Sequence, residues 1–182
     1  MSTVVVKVGG SLYDWTPLRS VLPRFLLTLP PARVRIVPGG GPFADAVRLV
    51  DRVHGLGEEP AHWLALKSLS LAAEFLRRLV PAWGDAVVDM LEFARQDEAR
   101  PDHLPHVWDV TSDSLAARVA HIEGAERLIL LKSADPTPDG RHAHLVDPLF
   151  DAVAARGTYR VEFVNLRSWQ PEVAIDSLNK AP

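Results

Sequence analysis

The chain contains no cysteine, which excludes disulfides and thiolate-bound metals. It also lacks any uninterrupted apolar run approaching the roughly 20 residues that a membrane-spanning helix needs. Its apolar start, Val4 to Val8, is too short for a signal peptide and is interrupted by Lys7, so a soluble cytoplasmic protein is expected. Like charges are not grouped: 20 basic and 23 acidic residues give a net charge of −3 with no block of one sign. No nucleic acid and no membrane is therefore expected as a partner. Two common phosphate-binding patterns are missing as well, the Walker Gly-x-x-x-x-Gly-Lys-Ser/Thr and the Rossmann Gly-x-Gly-x-x-Gly. Internal repeats and low-complexity tracts are absent, and 182 residues with 47% hydrophobic content suit one core and one domain, 1–182.

What is present is organised around Val4-Val5-Val6-Lys7-Val8-Gly9-Gly10-Ser11. A β-branched run that suits a strand buried on both faces ends in a lysine, two glycines and a hydroxyl, and helix-start signals follow. Such an end is an anion site in outline, because glycine leaves backbone N–H groups uncovered and Lys7 adds a mobile positive charge. The pattern recurs where Val34 to Val37 runs into Pro38-Gly39-Gly40-Gly41-Pro42 before a helical pattern from Phe43 to about Val53. Two glycine turns at neighbouring parallel strand ends would face one crevice, with a helix dipole directed at it.

Between these turns, Thr16-Pro17 reads as an N-cap followed by proline at the first helical position, leading into Leu18, Val21, Leu22, Phe25, Leu26 and Leu29. Pro23 is expected to kink or interrupt that helix. Strand, helix and strand with short joints imply parallel pairing. Further on come a leucine-rich helix from Pro60 to Leu79, a short strand at Ala86 to Val88, and an exposed helical turn and loop from Leu91 to Pro105. Thr111, Ser112 and Asp113 are each suited to cap the alanine-rich helix that follows them. Arg127 to Leu131 reads as a buried strand running into Lys132-Ser133-Ala134-Asp135, with a turn at Pro138 to Gly140, a helix from Pro148 to Ala155, a last strand from Val161 to Leu166, and a thin tail beyond Trp169.

Lys7-Val8-Gly9-Gly10-Ser11, the Gly39-Gly40-Gly41-Pro42 turn, Asp113 to Ala117 and Leu130 to Asp135 occur in an order that resembles the amino-acid kinase superfamily. Within it, Trp108 to Ser114 together with Leu131 to Asp135 is most similar to the small phosphate kinases of methanofuran biosynthesis. The resemblance implies an α/β fold, a three-layer αβα sandwich on a mainly parallel sheet of the carbamate-kinase-like type. It also implies an acceptor-side half over about 1–105 and a nucleotide-side half over about 106–182. The latter is reduced, because the glycine pair and lysine that typical members carry after the nucleotide loop have no counterpart here; only Gly140, Gly157 and Lys180 follow Asp139.

The same resemblance implies an ATP-dependent transfer to an anionic oxygen of a small metabolite, an aminomethyl-furan-methyl phosphate in that subgroup, with Mg2+ entering on the nucleotide. Lys7 would bind the transferring phosphoryl group, Asp113 would orient the lysines, and Lys132 would supply the second cation. Gly9, Gly10, Ser11, Gly39, Gly40 and Gly41 would cradle phosphates, and Ser133, Ala134 and Asp135 would meet the nucleotide. Trp108, Asp109 and Thr111 are the candidate acceptor contacts, although simple packing is the favoured reading of Trp108 and Asp109 could equally be a loop carboxylate. Another acceptor, uridylate or acetylglutamate, and a non-catalytic anion-binding or storage protein stay open. The apolar Pro60 to Leu79 helix suggests a homodimer. His103 and His106 flank a loop proline, and His142 and His144 follow a turn. Such spacing on a loop is common by chance, and no further ligand is evident from the sequence, so no metal is assigned.

Overall fold

The structure, a computed structural model, describes residues 2–139 and 142–171. Four strands, β1 (Thr3–Val8), β2 (Arg33–Pro38), β3 (Arg127–Lys132) and β4 (Arg160–Asn165), pair in the order β2-β1-β3-β4, all parallel. The two most apolar segments take the centre, as strands flanked on both edges and covered on both faces must. β1 is buried along its whole length and β3 from its second residue on, whereas β4 at the edge is only half-buried.

Alternation along these strands sorts side chains into two cores. Val4, Val6, Val8, Ile129 and Leu131 enter one core with Leu12, Leu18, Leu22, Phe25 and Leu26 of the segment through α1 (Leu18–Leu27). Val5, Leu128 and Leu130 enter the other, against α4 (Met90–Asp97), α5 (Ser112–Ile122) and α6 (Phe150–Ala154). The expected three layers follow. α2 (Gly41–His54) packs on α3 (Glu58–Leu79), and α3 serves both cores, giving Leu66 and Leu69 to one and Ala73 and Leu76 to the other.

α5 is the most enclosed helix, buried at every position from Ser112 to Ala120. Ala116, Ala117 and Ala120 let it lie close to the sheet, and the Tyr159 hydroxyl donates to the Ala117 carbonyl at 2.9 Å. It also buries Arg118, which is 1% exposed. The guanidinium is matched by two carboxylates, donating to Asp97 at 2.9–3.1 Å and to Asp102 at 2.7 and 2.9 Å. A buried guanidinium is tolerated only with such pairing, and here it ties α5 to the last residue of α4 and to the loop beyond it.

Several local expectations are corrected. Thr16 does not cap α1; the turn starts through Leu18 N donating to Trp15 O, and Pro17 holds the cap position without a side-chain bond. Pro23 sits inside α1 without interrupting it. Val87 forms only an isolated bridge to Ile36, not a strand. The stretch after Leu91 is a true helix, α4, which Asp89 caps through the N–H groups of Leu91 and Glu92, with Met90 and Ala94 buried. The α3 leucines divide: Leu66 and Leu69 are core, while Leu64 and Leu71 are exposed. Trp169 packs edge-on against Phe25 at 5.3 Å. Gly140, Lys180 and the tail from 172 on lie outside the described residues.

Candidate active site

The period-two alternation that puts Val5 against α5 also directs Lys7 there, and Lys132 follows Leu128 and Leu130 onto the same face. Asp113, in the first turn of α5, meets both: its Oδ1 lies 2.7 Å from Lys7 Nζ and 2.7 Å from Lys132 Nζ. All three are buried, at 4%, 6% and 6% exposure for Lys7, Asp113 and Lys132. Burial works to raise the Asp113 carboxyl, but the two ammonium groups outweigh it and hold the group below the usual carboxylate range. Burial lowers Lys132 to about 8, with the Lys7 charge adding to the effect and Asp113 opposing it. Two cations sharing one carboxylate leave a net positive charge at the strand ends.

The glycine turns meet directly. A Cβ on Gly10 would stand 2.1 Å from Gly41 N and 2.5 Å from Gly41 Cα, and Gly41 itself has φ +51°. Backbone cannot yield to such an atom, so Gly10→Ala must spread the two turns. We expect a loss of about 1–3 kcal/mol, the usual cost of overpacking, read as a lower urea midpoint. The glycines also divide by role. Gly9 N donates to Leu131 O and Gly39 N to Val8 O, both at 2.8 Å, which extends the sheet past its last ladder pairs. Their N–H groups are therefore already bonded within the sheet. Among the described residues the N–H groups of Gly10, Ser11, Gly40 and Gly41 have no backbone acceptor, and these four residues line a cleft of about 570 Å³. Gly40 is also the N-cap of α2, whose dipole adds positive potential there.

The opposite wall of the cleft includes Trp108, Thr111, Ser112 and Leu115. Trp108 donates from Nε1 to Asp51 at 2.8 Å and carries the Arg48 guanidinium over its ring at 5.4 Å. Asp109 is exposed and is not part of the lining. Ser11 and Ser133 join the first turn to the end of β3 through a 2.8 Å hydroxyl contact. Asp135 accepts from Asn165 Nδ2 at 2.8 Å, and Ala134 and Asp135 are exposed.

No protein-family model matches the chain. A (5-(aminomethyl)furan-3-yl)methyl phosphate kinase from Methanocaldococcus jannaschii is 28% identical over 144 residues, covering 72% of this chain and 66% of the relative, so the chain spans just under two thirds of that protein. Among solved structures, uridylate kinase from Archaeoglobus fulgidus aligns with a TM-score of 0.61 at 17% identity, covering 90% of each chain. UMP kinase from Bacillus anthracis aligns with a TM-score of 0.60 at 16% identity, covering 94% of this chain and 89% of its own. The chain has the amino-acid kinase fold. On that fold Thr111 and Ser112 line the cleft and Asp113 follows them in the chain, so the lysine–aspartate cluster adjoins the cleft through this stretch without lining it.

Sequence reasoning missed four groups on this amino-acid kinase scaffold. Asp14, Asp45 and Arg48 line the cleft. Asp45 and Arg48 read only as the polar side of α2, since nothing in the local pattern tells a solvent face from a cleft face. The fourth is Asp147. It accepts from Thr111 N at 3.1 Å, Thr111 Oγ1 at 2.7 Å, Ser114 N at 3.0 Å and the Ser114 hydroxyl, and also from Leu149 N at 3.2 Å. The N-terminus of α5 is thus capped from a distant loop as well as by Thr111. That loop reaches Lys132 too, because Leu145 O accepts from its Nζ. The Asp-Pro pair ahead of a helix was the only trace of this in the sequence.

Proposed function

We propose that the protein is an ATP-dependent small-molecule kinase that transfers the γ-phosphoryl group to an anionic oxygen of a phosphorylated metabolite. The observation that carries this reading is the buried Lys7–Asp113–Lys132 cluster beside a glycine-lined cleft. An acceptor phosphate oxygen is already anionic, so no general base is needed, and alignment with charge stabilisation is enough. Asp113 serves as the orienter: with both lysines on one oxygen it holds their ammonium groups side by side. Lys7 and Lys132 neutralise charge on the phosphoryl oxygens as the bond to the leaving group breaks. Gly10, Ser11, Gly40 and Gly41 offer N–H groups to phosphate oxygens. Ser133, Ala134 and Asp135, which follow Lys132 at the end of β3, are the proposed nucleotide contacts. Magnesium would be held mainly by phosphate oxygens and water, since Asp113 is already committed to two ammonium groups, and its chemistry is neutralisation of phosphate charge.

Within the acceptor cleft, Arg48 and Asp45 are paired with each other at 2.9 Å and Asp14 with Arg167 at 3.1 Å, so a phosphate on Arg48 and a cationic amine on the aspartates would exchange these exposed ion pairs for the ligand, with Trp108 beside them. This pairing of charges fits an aminomethyl-furan-methyl phosphate, which the kinase from Methanocaldococcus jannaschii carries in its name. Asp14 and Asp45 take over the role expected of Asp109. A homodimer through the exposed Leu64 and Leu71 side of α3 and a cytoplasmic location complete the reading; no helix among the described residues is long and apolar enough to cross a membrane.

The deciding experiment offers ATP and magnesium with a panel of the aminomethyl-furan phosphate, UMP, isopentenyl phosphate and acetylglutamate. Diphosphate formation on the first is the expected result. If UMP were by far the best acceptor, the assignment of acceptor would fail while the kinase remained; no transfer to any of them would favour an anion-binding protein. A pH profile tests the role of Lys132 separately. With its ammonium lowered to about 8, the free enzyme loses that cation as pH rises past this value, so kcat/KM should fall on the alkaline side from about pH 8. A profile flat to pH 10 would remove Lys132 from the mechanism.

A further inference from the structure

Glu98, His103 and His106 come together outside the lysine–aspartate cluster, each presenting a ligand atom within 4.8 Å of the others. Glu98 follows the last residue of α4, and the histidines lie in the loop beyond it. Glu98 Oε1 is 2.8 Å from His106 Nε2 and 3.7 Å from His103 Nδ1. Around a tetrahedral zinc ion with bonds near 2.0–2.1 Å, ligand atoms stand about 3.3 Å apart. The two Glu98 spacings bracket that value and the histidine pair lies within 4.8 Å, so side-chain adjustments of up to about 1.5 Å would accommodate an ion.

The surroundings hold these groups in place. The Arg118 guanidinium grips Asp97 and Asp102, the residues immediately before Glu98 and His103, so both ends of the loop are pinned from the core. The His106 ring is stacked on His62 at 5.0 Å with 21° between planes, and it touches Trp63 edge-on at 5.1 Å. Its other nitrogen, Nδ1, faces Glu59 Oε1 at 3.6 Å. A carboxylate behind a ligating imidazole fixes its tautomer and strengthens it as a donor. His103 Nδ1 is now 3.0 Å from Leu104 O, so binding through that atom exchanges the contact for the ion and leaves the ring proton on Nε2.

We propose that Glu98, His103 and His106 form a site for a divalent transition-metal ion of the zinc type, with three protein ligands and water in the fourth position. Two imidazoles and one carboxylate suit Zn2+ or Co2+ far better than Mg2+, so this site is separate from any magnesium that accompanies a nucleotide. The loop continues to Trp108 at the acceptor cleft, and an ion here would fasten that wall to α4.

The test uses the full chain stripped with EDTA and titrated with Co2+. Saturation at one equivalent, with visible bands of tetrahedral intensity that Zn2+ displaces, is the expected result. His103→Gln and Glu98→Gln should each abolish the saturable bands. Both side chains are on the surface, so the melting temperatures of these variants in EDTA should match wild type, while the rise that Zn2+ gives wild type should vanish. Failure of Co2+ and Zn2+ to bind, or binding that survives both substitutions, would overturn the site; the latter outcome would put the ion elsewhere.

Discussion

Replacing Lys7 by alanine is expected to lower kcat for phosphoryl transfer by about a hundredfold to a thousandfold, the range seen when one preorganised donor to developing charge is removed. The reason is positional. Lys7 leaves the fully buried strand β1 two residues before Gly9 of the first glycine turn, and its ammonium is held on Asp113. No other side chain on β1 can supply a charge there. Folding should survive, because Lys132 remains to neutralise Asp113 at 2.7 Å. The split between kinetic constants is informative: the charge matters most as the phosphoryl group moves, so kcat should fall much further than KM rises. Single-turnover measurement on a variant with a wild-type urea midpoint checks this. An unchanged rate would mean that the ammonium cluster is not the transfer centre.

Asp113→Ala is the substitution expected to cost the most stability. It strands two buried ammonium groups with no carboxylate between them, and breaking a buried ion pair by removing one partner typically costs about 3–5 kcal/mol. The pH dependence provides a second reading with a definite sign. The folded carboxyl lies below its ordinary value, so the unfolded chain binds the proton more readily. The stabilisation is therefore fully present above the unfolded pKa of about 3.9 and is lost as pH falls through the folded value. The difference between wild type and variant in urea unfolding should be large at pH 7 and shrink below about pH 4. Asp113→Asn, which keeps the volume, should show the same pH trend. Equal stability of wild type and both variants at pH 7 would show that the three groups do not act as a unit.

Strand identity and parallel pairing could be read from local pattern, because each depends on a short-range rule, whereas the approach of Lys7, Lys132 and Asp113 was implied only by the family resemblance. A β-branched run makes a strand, period two chooses its face, and a hydroxyl followed by a carboxylate starts a helix. α4 is faintly marked in the sequence because its apolar residues are few and its polar ones mixed, with Asp89 as its local start signal. Pro23 is the sixth residue of α1 and removes its bond to the Arg19 carbonyl, yet Arg19 is exposed, so water can serve that acceptor while the buried Leu18, Leu22, Phe25 and Leu26 hold the helix. The Arg118 ion cluster and the Asp147 cap join residues far apart in the chain, and no local spacing records such pairings.

By itself, the order of residues determined that two glycine bends would end adjacent parallel strands and that a lysine would precede the first of them, since backbone preference and side-chain alternation operate over a few positions. Only tertiary structure decided which amides stayed free: the sheet consumed those of Gly9 and Gly39 and left Gly10, Ser11, Gly40 and Gly41 to the cleft. It likewise put Asp14, Asp45 and Arg48 on the cleft in place of Asp109, and brought Glu98 to the histidine pair. Those outcomes depend on how helices pack across the sheet, and packing is set by the whole core acting together.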